Sequence, residues 1–177
     1  MASVTYGDKI YGARDLKVTN IGGTTQEDLG GIQSLSVELV FAGDTLKGDD
    51  ITIASINFPT HGEGSMAAGT ISSAALAIMT GKSLSTSGTT PNEITTLQID
   101  AGDNMPYFKI YGKAVGAEST DDMHLLLYKV KLSSLNAFSI ENESWRITEI
   151  EFMAFDDGSN GILKLVQNET AAALPSS

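Results

Sequence analysis

Apolar and polar residues alternate along most of this chain with a period of two, the signature of strands with one buried face. Ala13–Ile21 places Leu16, Val18 and a terminal Ile21 against Lys17 and Thr19. From Gln33 the alternation is cleaner: Leu35, Val37, Leu39 and Phe41 share one face, and Ser34, Ser36 and Glu38 the other. Ala42–Asp50, with two glycines among three aspartates, predicts a long hairpin connection, and the returning strand runs Ile51–Phe58 with both faces partly apolar. Pro59, Gly62 and Gly64 are expected to stop that strand. A helix of about three turns follows, capped by Thr70, with Ile71, Ala74, Ala75 and Ile78 on one side and Gly81 past its end. Further strands are predicted over Ile94–Asp100, Tyr107–Val115, Met123–Leu132, Trp145–Phe155 and Ile162–Val166. Leu125, Leu126 and Leu127 are apolar on both faces, which predicts a central strand. The phase switch from Trp145 and Ile147 to Ile150 and Phe152 predicts a bulge near Thr148 or Glu149. Gly22–Gly31 and Ser83–Asn92 read as loops, with Gln26-Glu27-Asp28 a solvated acidic centre lacking a nearby partner.

Composition narrows the function classes. In 177 residues without a compositional break, one domain is expected, over 13–167, with an N-terminal arm at 1–12 and a C-terminal arm at 168–177. Twenty-two acidic against eleven basic residues give a formal charge of −11, which disfavours nucleic acid and anionic lipid across most of the surface. The absence of cysteine removes disulfides, thiolate nucleophiles and Cys-bound metals. No apolar run approaches the ~20 residues of a membrane span, and Met1–Ile10 lacks the basic-then-apolar pattern of a signal peptide, so synthesis in the cytoplasm is expected.

Each catalytic or binding lead fails on context. His61 and Ser65 suggest a base and nucleophile, but Ser65 lacks the strand-turn-helix setting of a nucleophile elbow, and His124 is far away in sequence beside Asp121 and Asp122. Gly62-Glu63-Gly64-Ser65-Met66-Ala67 matches a relaxed dinucleotide fingerprint, yet Glu63 would sit among phosphates and no acidic residue follows between Ile71 and Pro91 for a ribose hydroxyl. Asp156–Gly161 looks like a calcium loop but has Gly158 and Gln167 where ligands are needed, and a β-turn explains it better. Lys109, Lys113, Lys129 and Lys131 with Tyr107, Tyr111 and Tyr128 have the interleaving of a nucleic-acid platform; guarding strand edges is the preferred reading. No catalytic residue, cofactor or metal is therefore expected, and the chain is not expected to be an enzyme.

The order of elements, with several phrases, resembles the bacteriophage tail tube (major tail) protein family. Tyr11-Gly12-Ala13-Arg14-Asp15-Leu16-Lys17-Val18 is similar to that family's opening strand, and Ile71–Gly81 to its helix. Asn104–Ile110 and Tyr128–Leu132 are similar to its later strands. The resemblance spans roughly 11–157. It implies a mainly β fold: a β-sandwich or small barrel of about seven to eight strands with one flanking α-helix. It also implies a homo-oligomer of six-fold rings stacked into a hollow tube in the virion tail, assembled in the host cytoplasm. Tape measure and tail completion proteins would be its partners, and DNA would pass through the lumen without specific binding. Six copies would carry 6 × −11 = −66 charges per ring. The family's inter-ring contacts would map here to the long hairpin, at Asp44, Leu46, Lys47, Asp49 and Asp50, with Gly22–Gly31 and Glu169–Ser177 as further candidates. The tube of a contractile injection or secretion system shares the fold and is an alternative. A carbohydrate-binding β-sandwich is another, though one Trp and five Tyr form no row on a polar face.

Overall fold

The computed structural model describes residues 10–23, 25–48, 51–116, 121–136, 142–143 and 147–175. The fold is mainly β, a β-sandwich with one helix, as the alternation and the resemblance imply. The described strands are β1 Ile10–Asn20, β2 Gln26–Asp28, β3 Gly30–Gly48, β4 Ile51–Thr70, β5 Ser85–Ser87, β6 Ile94–Thr96, β7 Tyr107–Gly116, β8 Asp122–Leu135, β9 Thr148–Ala154 and β10 Lys164–Asn168. Helix α1, Ser73–Thr80, lies between β4 and β5. Eight strands form one antiparallel sheet in the order β2-β1-β7-β8-β9-β4-β3, with β10 pairing to β8; β5 and β6 make a separate small hairpin.

The sheet curls without closing, so that β3 comes over β1 and β7 and the core lies between them. Leu16 and Val18 of β1, Phe108 and Ile110 of β7, Leu127 and Val130 of β8, and Ile150 and Phe152 of β9 fill it. Leu35 and Val37 of β3 pack on it from the other side, with Met66 of β4. Gly112 leaves room for the Leu35 side chain of β3, whose Cδ2 would stand 2.7 Å from a Cβ there. Ala75 and Met79 of α1 cover one end. Burying each large apolar side chain contributes ~1.5–3 kcal/mol, so this cluster dominates stability. A second cluster of Tyr111, Leu126 and Leu174 brings the C-terminal segment onto the chain, with Tyr128 and Val166 packed against it.

Several expectations are corrected. Gln26–Asp28 is strand β2, and Asp28 has a partner: Lys17, its cross-strand neighbour on β1, at 3.3 Å. That pairing joins residues eleven apart, beyond the local window in which a loop is judged. Ile21 lies past the end of β1 and is exposed. Ala42–Gly48 is not a connection but the outer part of a 19-residue strand. Pro59 does not end β4; the register slips there, Val40 facing His61 and Phe41 facing Pro59, so Thr60 is an extra residue. Proline is tolerated at such a bulge because no ladder hydrogen bond is asked of it. The Thr60 hydroxyl donates to the Val40 carbonyl at 3.1 Å.

Helix α1 is shorter than expected. Ser72, not Thr70, is its cap, its hydroxyl accepting from the Ala75 amide at 3.0 Å, while Thr70 ends β4. Gly81 does hold the left-handed position, at φ 70°. The expected loop 83–92 contains β5, and the strand expected over 94–100 is reduced to β6. β9 starts at Thr148 and alternates regularly, burying Thr148, Ile150, Phe152 and Ala154; the nearest irregularity is on β8, between Leu132 and Ser134. Trp145 lies outside the described residues. β8 is central, flanked by β7 on one side and by β9 and β10 on the other. For that reason its lysines and those of β7 guard no edge.

Candidate assembly interface

β9 pairs with β4 only over Gly62–Ala68, whereas β3 pairs with β4 along its whole length. Outward from the Thr60 bulge, β3 and β4 therefore form a two-stranded arm with no third strand beside it among the described residues. From Phe41 to Gly48 the arm extends ~23 Å, at ~3.3 Å per residue. Its pairs are Ala42 with Phe58, Asp44 with Ile56, and Leu46 with Ala54 on one face, and Phe41 with Pro59, Gly43 with Asn57, and Thr45 with Ser55 on the other.

The first face is an apolar stripe in water. Leu46 and Ile56 are each 63% exposed and Phe58 is 52% exposed. Phe41 keeps the inward phase of Leu35 and Val37 but stands beyond the core and is 59% exposed. Ile53, at a second slip in register between Leu46 and Lys47, is also exposed. An isolated two-stranded ribbon is at best marginally stable in water, and its outer edges carry unpaired N–H and C=O groups that invite a further strand. Both facts make this arm a candidate surface for a partner.

The arm holds the described residues of the expected contact set. Leu46 lies in the stripe. Asp44 is exposed beside it, its carboxylate accepting from the Thr45 amide at 2.8 Å, and Lys47 faces Thr52. Asp49 and Asp50 lie outside the described residues. Ile56 and Phe58, outside the expected set, are exposed on the same face of the arm, and the returning strand being apolar on both faces was the sequence signal for them. The further candidate Gly22–Gly31 is partly occupied by β2. From the C-terminal candidate, the Pro175 carbonyl accepts from Gln26 Nε2 at 3.0 Å on the chain itself.

Along β3, Ser36, Glu38 and Val40 continue the face of Ala42 and Leu46. Glu38 sits directly opposite Glu63 of β4, and both line a shallow depression with Glu151 of β9. Three carboxylates thus give the sheet an acidic outer face below the apolar arm. The remaining leads are dispersed. Ser65 Oγ bonds Ser36 Oγ at 2.9 Å, and His61 is near Glu63 at 3.4 Å; His61 and Ser65 lie four residues apart on one strand, too far for a base and its nucleophile. Gly62 and Gly64 are mid-strand. Asp157 accepts from the Asn160 amide at 2.6 Å, the Asn160 side chain at 2.7 Å and the Ser159 amide at 2.9 Å, which hold its carboxyl down at about 2, the behaviour of a turn aspartate. Among the described residues no cluster of three or more His, Asp or Glu is arranged to hold a metal ion. Lys129 and Lys131 lie over the Tyr107 ring at 5.3 and 5.5 Å, and Tyr111 is buried, so these side chains form no platform for bases. The exposed Phe41 and Phe58 point to opposite faces of the arm, which leaves no aromatic row there for a sugar.

The strongest electrostatic cluster is internal. Asp122, its side chain fully buried, accepts from Lys113 Nζ at 2.7 Å, Asn168 Nδ2 at 2.6 Å and the Ala172 amide at 2.7 Å. Lys113 also donates to the Ala172 carbonyl. His124 Nε2 is 3.3 Å from the carboxylate but outside hydrogen-bonding geometry. Burial pushes the Asp122 carboxyl up; the three hydrogen bonds and the His124 charge outweigh it and hold it well below the ordinary carboxylate range. This network straps 168–172 to β7 and β8.

No protein-family model matches the chain, and no curated protein matches it. Among solved structures, it is similar to the cryo-EM structure of the anti-feeding prophage cap, described as a tube-terminating cap. That likeness has a TM-score of 0.45 at 14% identity and covers 94% of this chain and 100% of the other. At that level it carries no argument. No described helix is long and apolar enough to cross a membrane.

Proposed function

We propose that this chain is a structural, non-catalytic subunit of a phage tail tube. Copies of it form hexameric rings that stack into a hollow tube in the virion tail, with tape measure and tail completion proteins as partners. One observation carries the reading: a two-stranded arm that presents Leu46, Ile56 and Phe58 to solvent, with no third strand among the described residues to support it. Such an arm costs a monomer stability and solubility, and becomes favourable when a neighbouring copy covers it. The acidic outer face at Glu38, Glu63 and Glu151 suits a lumen wall, since like charge would let DNA slide without sticking.

Sedimentation and negative-stain electron microscopy of the purified full chain test this directly. Rings or tubes are expected from the parent. The Leu46→Asp, Ile56→Asp double variant is expected to stay monomeric with an unchanged melting temperature, because both residues lie outside the core. A parent that stays monomeric at every concentration and salt, or a double variant that assembles normally, refutes the reading.

A further inference from the structure

A second surface is also left uncovered by the described residues. Helix α1 reads Ser-Ala-Ala-Leu-Ala-Ile-Met-Thr and contains no charged residue. A helix apolar on all sides belongs in an interior. Among the described residues its cover is incomplete: Ala75 and Met79 are buried and Ile78 packs against the core, yet Ala74, Ala77 and Ile78 are only half-buried and line an opening. With Leu84, Pro106 and Tyr107 they line an open groove of about 670 Å³. The groove also includes one residue of each sign, Lys82 and Glu27. Lys82 is bonded to Asp103 at 2.6 Å, but an ammonium has three donors and this uses one.

We propose that this groove receives the β3–β4 arm of a second copy of the chain. The inference rests on the assembly reading above and names the receiving surface. The arm offers what the groove lacks: an apolar stripe of Leu46, Ile56 and Phe58, with Asp44 and Lys47 to meet Lys82 and Glu27. The two surfaces are different patches of one chain, so their contact is heterologous. Such contacts propagate from copy to copy and generate rings or open-ended assemblies, not closed dimers.

The chain has no cysteine, so introduced thiols report contacts without background. Full-length Leu46→Cys is mixed with full-length Ala77→Cys under assembly conditions and treated with a short bismaleimide. A cross-linked dimer from the mixture, and a ladder from the chain carrying both changes, are expected. A second variant, Ala77→Arg, fills the groove from the outward side of α1; it is expected to raise the concentration needed for assembly at least about tenfold, which is ~1.4 kcal/mol. Assemblies that form without any cross-link between positions 46 and 77, or an Ala77→Arg variant that assembles like the parent, overturn this pairing and leave the tube reading standing. A parent that never assembles removes both.

Discussion

Asp122 offers the sharpest test of how the C-terminal segment is held. Its carboxylate is fully buried and accepts from Lys113, Asn168 and the Ala172 amide. Asp122→Ala would leave the Lys113 ammonium, only 17% exposed, without its counter-ion, and would strand the Ala172 N–H. Removing one partner of a buried pair costs ~3–5 kcal/mol. Lys113 retains its bond to the Ala172 carbonyl and some access to water, so about 2–4 kcal/mol is expected. At ~2–4 °C per kcal/mol for a chain of this size, the melting temperature should fall by about 4–16 °C. Hydrogen exchange should show the Ala172 amide losing protection before the core strands do.

The pH dependence follows from the direction of the shift. The folded carboxyl lies below its unfolded value of ~3.9, so its contribution is present above that pH and is lost as pH falls through the folded value. The stability gap between the parent and Asp122→Asn, measured by denaturant unfolding, should be constant above about pH 4 to 5 and shrink on further acidification. An Ala variant within about 1 kcal/mol of the parent, or an Asn variant with the parent's acid limb, would show that the strap is held by apolar contacts at Leu174 instead.

Two further substitutions probe local features. Tyr111→Phe removes a buried hydroxyl that has no hydrogen-bond partner among the described residues, so the variant should match the parent or gain up to about 1 kcal/mol. Because burial, with the Tyr128 phenol nearby, pushes the Tyr111 hydroxyl up to about 12, the folded parent should lose stability between about pH 10 and 12 where the unfolded phenol ionises first, and the Phe variant should lack that contribution. Ser72→Ala removes the cap of α1 and should cost about 1 kcal/mol in thermal unfolding; no loss would mean that packing of Ala75 and Met79 alone holds the helix.

Period-two alternation is a reliable guide where one face meets the core. Leu16 and Val18, Phe108 and Ile110, and the doubly apolar Leu125–Leu127 all lie where the pattern places them. The errors cluster where tertiary pairing overrides a local signal. Glycine and aspartate at 42–48 read as a turn, yet this segment is strand because Asn57, Ile56 and their neighbours pair with it. Pro59 reads as a stop, yet a bulge absorbs it. Asp28 appeared unpaired because its partner Lys17 is reached across a ladder, not along the chain. The Asp122 network was invisible for the same reason: Lys113, Asn168 and Ala172 are brought to it by three different segments.

The misread segment is also the one that carries the functional reading, and the two facts have one cause. In a strand that meets its own core, apolar and polar residues sort by face, and the sequence declares the element. Among the described residues nothing packs a core against the arm, so Asp44 can lie between Ala42 and Leu46 on the face that also bears Ile56 and Phe58. A face that mixes exposed large apolar residues with a charge fits an intersubunit surface better than a domain interior, because interfaces tolerate polar groups that a core excludes. If the arm is seated on a neighbour, its pattern should make sense against that surface: apolar residues toward Ala74, Ala77 and Ile78, and Asp44 toward the groove's charged rim. The cross-link between positions 46 and 77 therefore also tests whether the neighbour's surface explains the mixed pattern of the arm.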